Sequence, residues 1–161
     1  MNTSTDSRER QLRRLRIYNL VMGAFHAAQG LAILALANDF SLPVTASFME
    51  GPPGSAPPEL RDLFDVRIAW GVALFVFISA AAHWIIAAPG VYEWYARNLG
   101  RTRNYARWIE YSVSSSVMVV LIAMFTGISD VAALVAIFGV NAAMILFGLL
   151  MEHYEEPGSP N

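Results

Sequence analysis

Three side chains in this 161-residue sequence could carry proton chemistry in an apolar setting: His26, His83 and Glu110. Glu110 lies in ARWIEYSVSSSVMVVLIAM (106–124), a stretch that otherwise reads as a membrane-spanning helix. An unpaired charge in hydrocarbon costs about 2.5–3.5 kcal/mol even on insertion scales. The acid must therefore have a partner, sit near an interface, or be protonated. Imidazoles change charge near neutrality. A carboxylate and two imidazoles at a common depth could hold a proton and pass it on. Cysteine is absent, which excludes a disulfide framework, a thiolate nucleophile and a cysteine metal site. His26, His83 and Glu110 could formally ligate zinc, but neither HxxxH nor HExxH spacing occurs, so no metal site is expected.

The elements that must position these groups follow from composition. The chain is 55% hydrophobic and 15% charged, and four windows hold no charge: Ile17–Ala37, Ile68–Gly90, Tyr111–Ser129 and Val131–Met151. Each has about the 20 residues that cross ~30 Å of hydrocarbon at 1.5 Å per residue. A helix satisfies its own backbone in lipid, so the windows read as helices. The expected fold is an all-α membrane protein in a single transmembrane domain, with spans near 17–37, 66–88, 106–127 and 131–151. Residues 1–11 read as a disordered polar start. The connection 38–65 is rich in Pro and Gly, and its alternating half, Phe40–Met49, suggests a β-hairpin. Tyr92, Trp94 and Tyr95 suit a helix riding the headgroup layer. Gly127 and Asp130 bracket a tight turn, residues 152–161 form an acidic tail, and there is no internal repeat. The Arg-rich start and Ala35-Leu36-Ala37 imitate a secretory signal. The apolar run exceeds the ~7–15 residues of a signal core, so a retained helix is expected.

All eleven basic residues are arginine. Positions 8, 10, 13, 14, 16, 97, 101, 103 and 107 fall on one side of the spans; only Arg61 and Arg67 fall on the other, among Asp39, Glu50, Glu59, Asp62 and Asp65. The positive-inside rule then predicts a cytoplasmic N-terminus and C-terminus and an extracellular 38–65 loop in a multi-pass cell-membrane protein. Glu110 lies about a turn inside the cytoplasmic end of span three, His83 near that end of span two, and His26 about 14 Å into span one. Asn19, His26 and Gln29 share an arc beside Gly30; Ser79 and His83 stack at i, i+4; Glu110, Ser114 and Met118 make a third stripe. These stripes could converge on one cavity. Blander readings compete. Each histidine could be a packing residue, Glu110 could pair with Arg107 one turn earlier, and Ser112, Ser114, Ser115 and Ser116 could simply let helices approach closely. Asn141, with Gly139 and Ala143, likewise suits packing, and Tyr105, Trp108 and Tyr111 suit an interfacial belt.

Taken together, FHAAQG (25–30), ALANDFSLPVT (35–45), GPPG (51–54), AHW (82–84), RWIEYSVSSSVMVVLIAM (107–124) and GISDVAALVAIFGVNAAMILFGLLME (127–152) resemble heliorhodopsin, in the same order, over about residues 14–156. The resemblance implies a partial seven-helix rhodopsin bundle with a cytoplasmic N-terminus and a first extracellular loop forming a β-hairpin across a homodimer. It implies retinal as cofactor, with Glu110 as counterion to the protonated retinal Schiff base. His26 and His83 would be the histidine pair of a proton-accepting cavity. Tyr111, Ser114, Ser115, Met118, Asn141 and Met144 would line the chromophore. The family's output is signalling or regulation of partner proteins; it does not pump ions and is not an enzyme. The sequence departs from the family at its defining residue. The Schiff-base lysine lies on helix seven, the match ends after helix four, and no lysine occurs here. Arginine, always protonated, does not replace it. An N-terminal fragment, truncated before helices 5–7, is the expectation, retinal-dependent only if those helices are supplied. The alternative is a self-sufficient four-span protein acting as a small proton-coupled transporter or assembly subunit; a glutamate near an interface of span three disfavours it. The bilayer is the expected surrounding partner, and nothing points to nucleic acid.

Overall fold

The computed structural model describes residues 3–49, 51–55 and 59–155. The chain runs α1 (Thr3–Ala35), β1 (Ser41–Phe48), β2 (Glu59–Arg67), α2 (Ile68–Ala87), α3 (Val91–Leu99), α4 (Tyr105–Phe125) and α5 (Val131–Tyr154). Four of the five helices are long and apolar enough to cross a membrane. The expected spans are therefore all present, and the protein is an all-α membrane protein with one short hairpin.

Boundaries differ where charge misled. Residues 1–11 read as disordered, yet α1 is already helical at Thr3; residues 1–2 lie outside the described residues. The chain simply continues from an apolar helix, so no new nucleus is needed, and Glu9 precedes Arg13 by one favourable helical step. The extension is also gripped from outside: the Tyr92 hydroxyl donates to the Leu12 carbonyl, and the Arg16 guanidinium lies 5.5 Å from the Tyr92 ring centre. At the other terminus, Glu152–Tyr154 belong to α5 and not to the tail. Residues 156–161 lie outside the described residues. Val66 and Arg67, assigned to span two, end β2 instead.

Each span packs chiefly on its chain neighbours: α1 on α2, α2 on α4, and α4 on α5. Lipid supplies no hydrophobic drive between helices, so close approach of small residues must do so. At Gly30 an added Cβ would come within 2.5 Å of the Phe77 ring, so glycine lets that ring approach α1 closely. The start of α4 is capped by Asn104, whose side chain accepts from the Arg107 N–H. Asp130 does the same for Ala133 at the start of α5, after a turn in which Gly127 holds φ 94°.

The described residues of the connection form one hairpin, with β1 antiparallel to β2 from Ser41↔Arg67 to Phe48↔Glu59. A bulge at Leu63 shifts the register between Val44 and Thr45. The hairpin is docked rather than free. The Thr45 N–H donates to the Ser129 carbonyl at 2.8 Å, and the two hydroxyls meet at 2.9 Å. Beneath it, Val44, Ala123, Met124 and Leu134 form a buried apolar cluster.

Candidate functional site

α2 and α4 are antiparallel neighbours, so the last turns of one and the first turns of the other meet at the arginine-rich end of the bundle. There they enclose, with α1 and α3, a cavity of about 400 Å³. Its lining includes Asn19, His26, Ser79, His83, Tyr95, Asn104, Arg107, Glu110 and Tyr111. Three of the predicted stripes thus contribute to one space. Glu110, His26, His83 and Tyr111 are brought together.

Within it, the Ser79 hydroxyl donates to Glu110 Oε1 at 2.7 Å. Arg107, the alternative partner suggested by spacing, is committed elsewhere, 3.8 Å from Glu152 and stacked 4.4 Å from the Trp108 ring centre. Asn19 is 3% exposed. Its amide nitrogen donates to the Leu15 carbonyl at 2.9 Å, which turns its oxygen toward His83 Nδ1 at 2.8 Å. An amide oxygen only accepts, so His83 carries its proton on Nδ1 and leaves Nε2 as the basic atom. His26 Nδ1 lies 3.0 Å from the Gln29 side-chain oxygen. The two imidazoles stack 5.5 Å apart, 16° from parallel. Both line the cavity that Glu110 lines.

The other predicted residues lie elsewhere. Ser114 is 2% exposed and packed between helices. Ser115 donates to the Tyr111 carbonyl and receives the Asn141 amide at 2.8 Å, while Ser116 receives it at 3.0 Å. Asn141 therefore ties α5 to α4. Met118 and Met144 are 39% and 60% exposed.

Three further groups line or hold this end of the bundle. Glu152, which the sequence places at the start of the tail, accepts from Trp108 Nε1 at 2.6 Å and from the Asn104 N–H at 2.9 Å. A carboxylate in the last turn of a helix opposes the macrodipole. That cost was the available signal that it had partners. Tyr95 is 7% exposed on α3, and Asn104 caps α4; both line the cavity. Neither carries a sequence signal beyond the aromatic run and the loop position.

Residues 15–161 match the protein-family model described as heliorhodopsin. The chain belongs to the heliorhodopsin family. No protein of curated function matches it. Heliorhodopsins as a family imply retinal, and the side chains present fit that group in part. The cavity carboxylate, bonded to a neutral serine, suits a cationic neighbour. The covalent requirement is not met within the chain, since it contains no lysine. No side chain of the sequence offers an imine-forming amine.

Proposed function

We propose that this heliorhodopsin is the counterion-bearing part of a light-sensing, non-pumping membrane protein with a signalling or regulatory output and no enzymatic activity. One observation carries the reading: Glu110 lines the same cavity as two stacked imidazoles, and its partner there is the neutral Ser79 hydroxyl. A lone carboxylate at the edge of a low-dielectric space is stabilised by a cation that arrives next to it. Retinal, when bound through an amine, supplies both that cation and a light-driven change of shape.

The chain's own residues do the rest. Glu110 is the standing anion, and Ser79 fixes its orientation. Asn19 and Gln29 hold the imidazoles as Nδ1–H tautomers, so Nε2 of His83 and Nε2 of His26 are the temporary proton hosts. Arginine asymmetry supports a cytoplasmic N-terminus, which puts the cavity on the cytoplasmic side. Family membership supports homodimer formation, and the hairpin exposes Phe48, Leu60 and Phe64.

The test is to co-express the chain with helices five to seven of a lysine-bearing heliorhodopsin and add all-trans retinal. The assembled protein should give a red-shifted band, and the chain alone none. Glu110→Gln should abolish that band or shift it strongly. An unchanged spectrum in Glu110→Gln would overturn the counterion assignment.

A further inference from the structure

Nine of the eleven arginines sit at one end of the bundle, and several have internal work. Arg16 donates to the Ala87 carbonyl at 2.9 Å, Arg103 to the His153 carbonyl at 3.0 Å, and Arg107 faces Glu152. Arg8, Arg97 and Arg101 are different. All three are exposed, and among the described residues no carboxylate pairs with them.

They also meet. Arg8 reaches across from α1 to the end of α3, where its Nη2 lies 2.7 Å from the point a Cβ on Gly100 would occupy. The Arg97 carbonyl is 3.4 Å from the same point, and Arg101 is the next residue. The negative end of α3 can offset one cation there. It does not offset three, and three arginines without carboxylate partners on adjoining backbone favour an anion.

We propose that Arg8, Arg97 and Arg101 form a binding site around Gly100 for the phosphate of an anionic phospholipid headgroup. The source of the phosphate follows from depth. α2 ends at Ala87 and α4 starts at Tyr105, so residues 88–104 lie at the bilayer edge. Trp94 is 38% exposed on the same short helix, as interfacial tryptophans are. A headgroup phosphate occupies that layer at high local concentration, whereas free phosphate must arrive from solution. Guanidinium forks match phosphate oxygens in pairs.

The site is tested on the full chain in phosphatidylcholine nanodiscs, titrated with dansyl-labelled phosphatidylglycerol and read by tryptophan-to-dansyl energy transfer. At roughly fivefold per arginine, Arg8→Gln with Arg101→Gln should weaken the association about 25-fold. Arg13→Gln with Arg14→Gln removes the same charge from exposed positions on α1 and should weaken it less than about threefold. Circular dichroism of both variants confirms that they are folded. Failure of millimolar inorganic phosphate to displace the lipid supports a headgroup site. Equal loss in the two double variants would mean diffuse attraction and overturn the proposal. So would equal binding of dansyl phosphatidylcholine, or ready displacement by phosphate.

Discussion

Glu152 provides the sharpest energetic test of how the cavity end is held. Its carboxylate accepts from Trp108 Nε1 at 2.6 Å and the Asn104 N–H at 2.9 Å, and it faces Arg107 at 3.8 Å. The side chain is 18% exposed, while that of Arg107 is 44% exposed. Hydrogen bonds to a charged group contribute about 1.5–3 kcal/mol each and do not simply add. A long, half-exposed ion pair contributes about 0–1 kcal/mol. Glu152→Ala leaves two N–H groups without acceptors and should cost about 2–4 kcal/mol. Glu152→Gln keeps an acceptor oxygen and relieves about 0.3–1 kcal/mol of conflict with the helix macrodipole, so it should cost about 1 kcal/mol. Arg107→Gln should cost no more than about 1 kcal/mol. Equilibrium unfolding in mixed detergent micelles, followed by circular dichroism, ranks the three. Should Arg107→Gln prove as damaging as Glu152→Ala, the ion pair would dominate and the hydrogen-bond argument would fail.

Further expectations concern the rest of the site. Nitrogen-15 spectra should show His83 as the Nδ1–H tautomer, and Asn19→Leu should scramble it; an Nε2–H signal in the unmodified protein would contradict the assignment from Asn19. Gly148→Ala would place a Cβ 2.6 Å from the rigid Trp108 ring, so it should destabilise α4–α5 packing by about 1–3 kcal/mol; a neutral result would show that the ring can move. Burial holds the Tyr95 phenol above its ordinary 10, against a lowering hydrogen bond from Asn104 and the charge of Arg107. A raised value in the folded state means a stability contribution fully present below pH 10 and lost as pH climbs through the raised value. Phenolate absorbance should therefore rise later for Tyr95 than for exposed tyrosines, and α3 should loosen with it; simultaneous ionisation of all tyrosines would count against its burial.

Much of this architecture is legible because lipid imposes simple rules. Charge-free windows of fixed length mark the spans, and residue depth alone puts His83 and Glu110 at one end. Face arithmetic then brings Asn19, His26, Ser79, His83 and Glu110 toward a common space. What escapes is structure held by partners distant in sequence. β2, ELRDLFDVR, is exposed along nearly its whole length and shows no alternation, because it forms against the backbone of β1 and buries no face of its own. The helical start of α1 has no apolar periodicity, and it is held by Tyr92 through Leu12 and Arg16, contacts across some eighty residues. Glu152 resembles tail charge until α4 supplies Trp108 and Asn104. The hydroxyls of Ser115 and Ser116 could face a ligand or a neighbouring helix equally well by spacing; only the position of Asn141 decides which they meet.

Glu110 opens into a cavity reached from the arginine-rich end and does not face lipid. The natural absence of cysteine makes one measurement direct: Glu110→Cys in sealed proteoliposomes, challenged from each side with a charged, membrane-impermeant thiol reagent. Labelling from the side of the N-terminus, with none from the hairpin side, is the predicted result. A thiol that stays unlabelled in the bilayer from both sides, yet reacts fully once the protein is denatured, would contradict the account.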